Sequence, residues 1–180
     1  MREQPIAYTP YAVVDTYGPV GRTLLKVAKV FAIAGGLLFV ALVIMSVVSI
    51  VGRKLFAFVV PGDVEILQMA AAVAASTFFA YCHLMHGDVK VDFFTHNWSP
   101  RKVALLDAIS SLLMMAFGVL LAWRTGVGAL SLREVGETSA ILAWPVWVAQ
   151  ALMVPSFVLL SVAGLYNAVH LLRLAVRKWR

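Results

Sequence analysis

The chain has 180 residues, of which 62% are hydrophobic and only 13% charged, with a mean hydropathy of +0.89 and a net charge of +6. Soluble domains are nearer half apolar and a quarter charged, so a water-soluble catalytic module is excluded and a membrane chain is expected. The basic residues sit beside apolar runs, where they read as topology and headgroup anchors and not as a nucleic-acid surface.

The first 23 residues, with Tyr8, Tyr11 and Tyr17, are expected to form an N-terminal cytoplasmic segment. The first apolar run follows only after Arg22, Lys26 and Lys29 and is about twice as long as the apolar part of a secretion signal. It is therefore expected to remain as a membrane helix. Crossing hydrocarbon takes about 20 apolar residues, and irregular backbone is forbidden against lipid. Four runs meet that requirement, at about 30–51, 66–84, 103–123 and 146–172. The fold class is all-α, a single domain of four transmembrane helices.

The punctuation between runs agrees. Before the second span, Pro61-Gly62-Asp63 supplies a turn with Asp63 as candidate N-cap, and Glu65 places negative charge at the positive end of the helix dipole. The second span carries Ala71 with Ala75 and Ala72 with Ser76, small residues at helical spacing that permit close backbone approach. Gly35-Gly36 in the first span and Ser161 with Gly164 in the fourth offer the same. After the second span, residues 86–94 alternate charged and apolar side chains before Trp98, which predicts a short interfacial connection. Ser99-Pro100 reads as N-cap and first helical residue of the third span. Pro145 has a similar place before the fourth, whereas Pro155 lies inside it and is expected to disturb the helix.

Orientation follows from the lysines and arginines. With the N-terminus in the cytoplasm, the inner segments hold Arg2, Arg22, Lys26, Lys29, Lys90, Arg101, Lys102, Arg173, Arg177, Lys178 and Arg180. The outer ones hold only Arg53, Lys54, Arg124 and Arg133. Eleven against four places both termini in the cytoplasm by the positive-inside rule. Trp123, Trp144 and Trp147 are then expected as anchors at the outer interface, and Trp98 and Trp179 at the inner one.

Ion-coupled carriers keep ionisable groups near the bilayer midplane. Here the central polar residues are uncharged, Ser46, Ser49, Ser76, Thr77, Ser110, Ser111 and Ser161, and they are expected to bond to neighbouring helices or to their own backbone. The chain is not expected to carry a transport path alone, which also speaks against an autonomous exporter. His83 and His86 close the second span and His170 lies near the end of the fourth, so a haem held between them in a redox-complex anchor is the alternative reading.

The chain resembles the small membrane subunit of tripartite ATP-independent periplasmic (TRAP) transporters. The resemblance rests on Gly52-Arg53-Lys54-Leu55-Phe56, Asp63-Val64-Glu65-Ile66-Leu67, the stretch His86-Gly87-Asp88-Val89-Lys90-Val91-Asp92 before Ser99-Pro100-Arg101, and Ser139-Ala140-Ile141-Leu142-Ala143-Trp144-Pro145-Val146-Trp147. It implies a complex in the inner membrane of a bacterium or archaeon, with a large multi-helix subunit that holds the sodium and substrate sites and a soluble periplasmic substrate-binding protein. This chain would be a non-enzymatic scaffold with no cofactor or metal of its own, embedded among lipids, in symport of small organic acids or related solutes. By position and charge, Arg53 and Glu65 are expected to pair with each other or with the large subunit, and Asp92 and Arg101 to brace the inner connection. Arg133, Glu134 and Glu137 are expected to help dock the binding protein, and Ala71 and Ala75 to form a packing face.

Overall fold

The computed structural model describes residues 17–56, 61–87 and 100–177, which form four helices: α1 (Pro19–Phe56), α2 (Asp63–Leu84), α3 (Pro100–Val135) and α4 (Val146–Arg177). Each contains a stretch long and apolar enough to cross a membrane. The only extended pairing among the described residues is a bridge between Thr138 and Pro145.

The helices outrun the apolar runs. α1 has 38 residues and α3 has 36, about 57 and 54 Å at 1.5 Å per residue, against a hydrocarbon core of about 30 Å. α1 opens on Pro19, whose fixed φ suits a first helical position, so Arg22, Lys26 and Lys29 lie on the helix itself. α3 opens on Pro100 as expected, then continues for twelve residues past Trp123, because Arg124 is a good helix former and ends nothing. It stops at Gly136, left-handed at φ 69°, whose N–H donates to the Arg133 carbonyl while the Glu137 N–H donates to Leu132. Pro155 lies inside α4, which runs on around it.

α1 packs along α2, α2 along α4 and α4 along α3, while α1 and α3 do not pack together. The result is an open row, α1-α2-α4-α3. Where helices meet, small residues let the backbones approach. A Cβ on Gly35 would overlap Thr77 Oγ1 and come within 2.9 Å of the Ala74 carbonyl of α2. A Cβ on Gly164 would stand 2.7 Å from the Met115 nitrogen and 2.9 Å from the Ser111 carbonyl of α3, and one on Gly118 would stand 2.7 Å from Ser161 Oγ. This is the packing expected where lipid is as apolar as leucine and association rests on close contact. Phe39 stacks on Phe78 between α1 and α2, at 5.9 Å between ring centres, and Phe79 on Phe157 between α2 and α4, at 6.4 Å.

The central hydroxyls bond locally as expected. Ser76 donates to the Val73 carbonyl at 2.7 Å, Thr77 to Ala74 at 2.7 Å and Ser161 to Phe157 at 2.9 Å. The large apolar side chains, by contrast, are mostly outside. Val30, Ile33, Leu37, Val40, Val43, Ile44, Val47 and Ile50 of α1 are all exposed.

Candidate functional site

Polar side chains gather at the two ends of the row. At one end α2 begins after Gly62, which is left-handed at φ 71° and lies against Leu142, so that a Cβ there would approach Leu142 Cγ to 2.5 Å. Gly62, and not Asp63, is therefore the N-cap; Asp63 is the first helical residue and turns its carboxylate toward α1. Asp63 Oδ2 accepts from Ser49 Oγ at 2.5 Å and from the Arg53 guanidinium at 3.1 Å, while Oδ1 faces the Val64 N–H at 2.8 Å. Of the two partners expected for Arg53, Glu65 or the large subunit, the one within this chain is replaced by Asp63.

Glu65 has a different task. Its carboxylate accepts from the Ile141 N–H at 2.9 Å and the Leu142 N–H at 3.2 Å, binding the α3–α4 connection to the first turn of α2. That connection is a tight structure of its own. The Ser139 N–H donates to the Trp144 carbonyl at 2.8 Å, Ala143 donates back to Ser139 at 3.1 Å with its own φ at 53°, and Val146 donates to Glu137 at 3.2 Å. Glu134, on the last turn of α3, and Glu137, just beyond, are exposed. Arg133 is also on that turn, and its guanidinium carbon lies 5.3 Å from the centre of the Trp147 ring on α4.

Trp123 lies ten residues before Arg133 on α3, about 15 Å along the helix, and Trp123 and Trp144 are both exposed. Arg124 also lies in the body of α3 and is exposed.

At the opposite end Tyr17, just before α1, is almost fully buried. Its hydroxyl lies 2.6 Å from Asn167 Oδ1, 2.9 Å from the Leu84 carbonyl and 3.3 Å from His86 Nε2. A phenol has one proton to give, so it donates to one of the two oxygens, and the imidazole contact is completed by a proton on His86 Nε2. Asn167 donates from Nδ2 to the His83 carbonyl at 3.0 Å. Burial pushes the Tyr17 phenol well above its ordinary range, aided by the neighbouring Tyr166 and opposed by the Asn167 hydrogen bond, so it stays protonated. His86 takes a left-handed φ of 51° as α2 ends, and the Gly87 N–H closes the turn onto the Cys82 carbonyl at 2.9 Å. The His170 ring stacks on Tyr166 at 5.8 Å and meets the Tyr17 ring edge-on at 5.2 Å. This geometry lends no support to haem ligation, and among the described residues no three His, Cys, Asp or Glu side chains are grouped to hold a metal ion. Tyr17 and Asn167 are the site residues that sequence reasoning missed, since nothing local marks a contact across 150 positions.

On α2, Ala71 is half-buried and Ala75 exposed, while Ala74, Ser76 and Ala80 form the buried face. Ala71 and Ala75 therefore face away from the packed seam. Asp92, Trp98, Trp179 and the side chain of Arg101 lie outside the described residues.

The family described as Tripartite ATP-independent periplasmic transporters, DctQ component, matches residues 42–174 of this sequence. The chain belongs to the DctQ family. The match takes in Arg53, Asp63, Glu65, the 136–145 connection and Asn167, and it makes the protein a small component of a TRAP transporter, in agreement with the resemblance read from its motifs. Comparison with curated proteins and with solved structures yields no significant match. As a DctQ component the chain is a multi-pass membrane protein of a transport system whose parts are supplied by more than one protein.

Proposed function

We propose that this DctQ component is a non-enzymatic scaffold, with both termini in the cytoplasm of a bacterial or archaeal cell, that holds the large transport subunit in the inner membrane. The observation that carries this is the open row: α1 packs on α2 alone for most of its length, and its apolar side chains remain exposed. A single row of helices leaves faces that a second multi-helix protein fits. Ala71 and Ala75, with exposed Leu67 and Phe79, give α2 such a face, and small residues there allow close approach. The solute and sodium sites belong to the large subunit on this reading, and the imported solutes are small organic acids or related molecules.

The end that carries the 136–145 connection faces the periplasm in this orientation. There the exposed Glu134, on the last turn of α3, and Glu137, where the connection braced by Glu65 begins, offer carboxylates to the substrate-binding protein. Such a contact steers encounter and weakens with salt. The test is to capture the tagged chain from membranes of cells that make the whole transport system. A large polytopic partner should accompany it. The binding protein should join at low ionic strength and bind less well to a Glu134→Lys, Glu137→Lys variant. Recovery of the chain alone, with a Soret band that is lost on replacing His170, overturns the proposal.

A further inference from the structure

The α3–α4 hairpin holds a cleft of about 260 Å³ lined by Gly126, Ala129, Leu130 and Arg133 of α3 and by Trp147, Ala151 and Val154 of α4. It is open on one side. From the Arg133–Trp147 pair it runs along two turns of each helix, about 10 Å, past Gly126, Ala129 and Ala151, with Leu130 and Val154 completing its walls. We infer that this cleft is a binding site for one phospholipid, with the phosphate on the Arg133 guanidinium and the start of an acyl chain in the trough from Ala129 and Ala151 to Gly126 and Val154.

Three features choose this occupant. The cleft is apolar along its length and cationic only at its mouth, the charge distribution complementary to an anion joined to a hydrocarbon chain. A guanidinium offers a forked set of donors that matches two phosphate oxygens, and the Trp147 face beside it holds the fork in place. Gly126, Ala129 and Ala151 line the trough with a hydrogen and two methyl groups, so a single acyl chain is slim enough to enter it. The inference requires only that α3 and α4 cross the membrane, so it stands or falls separately from the scaffold proposal.

The test is native mass spectrometry of the full chain released from detergent, titrated with dioleoylphosphatidylglycerol and, in parallel, with dioleoylglycerol, which has the same chains and no phosphate. The wild type should bind one phosphatidylglycerol in preference to dioleoylglycerol. Arg133→Gln should weaken phosphatidylglycerol binding by about tenfold or more, the loss expected for a charge-assisted contact, and Arg133→Lys by less. Ala151→Phe, which fills the trough, should displace the lipid while leaving Arg133 in place. Equal binding of the two lipids, or retention undiminished in both Arg133→Gln and Ala151→Phe, overturns the inference. So does cross-linking of an Ala151→Cys chain to the large subunit in the assembled transporter with no lipid retained.

Discussion

Gly164 tests the α3–α4 seam most directly. In Gly164→Ala the new methyl would stand 2.7 Å from the Met115 nitrogen, where ordinary contact begins near 3.4 Å, so α3 and α4 must separate by about 0.7 Å. The atoms met first are backbone, 2.9 Å away at the Ser111 carbonyl and 3.0 Å at Met115 Cα, and no side chain can rotate out of the way. A gap of 0.5–1 Å forfeits roughly a quarter to a half of each contact across it, and over some tens of atom pairs the expected cost is about 1–3 kcal/mol. Gly36→Ala is the matched control, because a Cβ there meets nothing within 4 Å. It should gain about 0.5–1 kcal/mol from higher helix propensity alone. The two variants should thus differ by about 1.5–4 kcal/mol. Both replacements leave the helices themselves intact, so the assay must report helix association: titration with SDS in mixed micelles, followed by fluorescence of Trp147 beside the seam. Coincident midpoints for Gly164→Ala and Gly36→Ala would refute the reasoning.

In a double-mutant cycle, Arg53 should couple to Asp63 and not to Glu65; coupling to Glu65 would reinstate the original pairing. Replacing Glu65 with alanine should speed amide exchange at Ile141 and Leu142 without changing Ala74 in the middle of α2, and unchanged protection of the connection would dismiss the brace. Tyr17→Phe leaves a buried acceptor without its donor and should cost about 1–3 kcal/mol, with an effect that is not additive with Asn167→Ala; independent effects would dissolve the hub. Folding raises the Tyr17 phenol above its ordinary value of 10.0, so the folded state holds this proton more tightly than the unfolded one. Stability is then fully present below pH 10 and falls as pH rises beyond it. Tyr17→Phe should flatten that alkaline limb, and an unchanged limb would place the titration elsewhere.

The membrane spans were legible because hydrocarbon leaves the backbone no alternative, and 30–51 or 146–172 can only be read as helix. Helix ends were less so. Arg124 looks like a boundary by charge, yet arginine is a good helix former, and only the Gly136 turn twelve residues on ends α3. The polar ends of the row divide in the same way. That Asp63 and Glu65 would serve the start of α2 was visible from the helix dipole. Their partners were not, because Ile141 is 76 positions from Glu65 and two acidic side chains within reach of one arginine look alike in sequence. Small residues were found correctly in kind, but Ala71 and Ala75 proved to lie off the buried face that Ala74, Ser76 and Ala80 provide. Spacing defines a face, and only the neighbour's position decides which face is covered.

The open row has a consequence for biogenesis. A closed bundle is stable as soon as its own helices meet, but here α1 packs mainly on α2, with a slight contact to α4, and its large apolar side chains are left to contacts from outside the chain. Such a subunit is stabilised by mass action with whatever covers it. If the large subunit proposed above is what covers it, cells that synthesise the chain in excess should accumulate a pool that membrane proteases clear, and the amount of the complex would be matched to the scarcer subunit without any dedicated regulator.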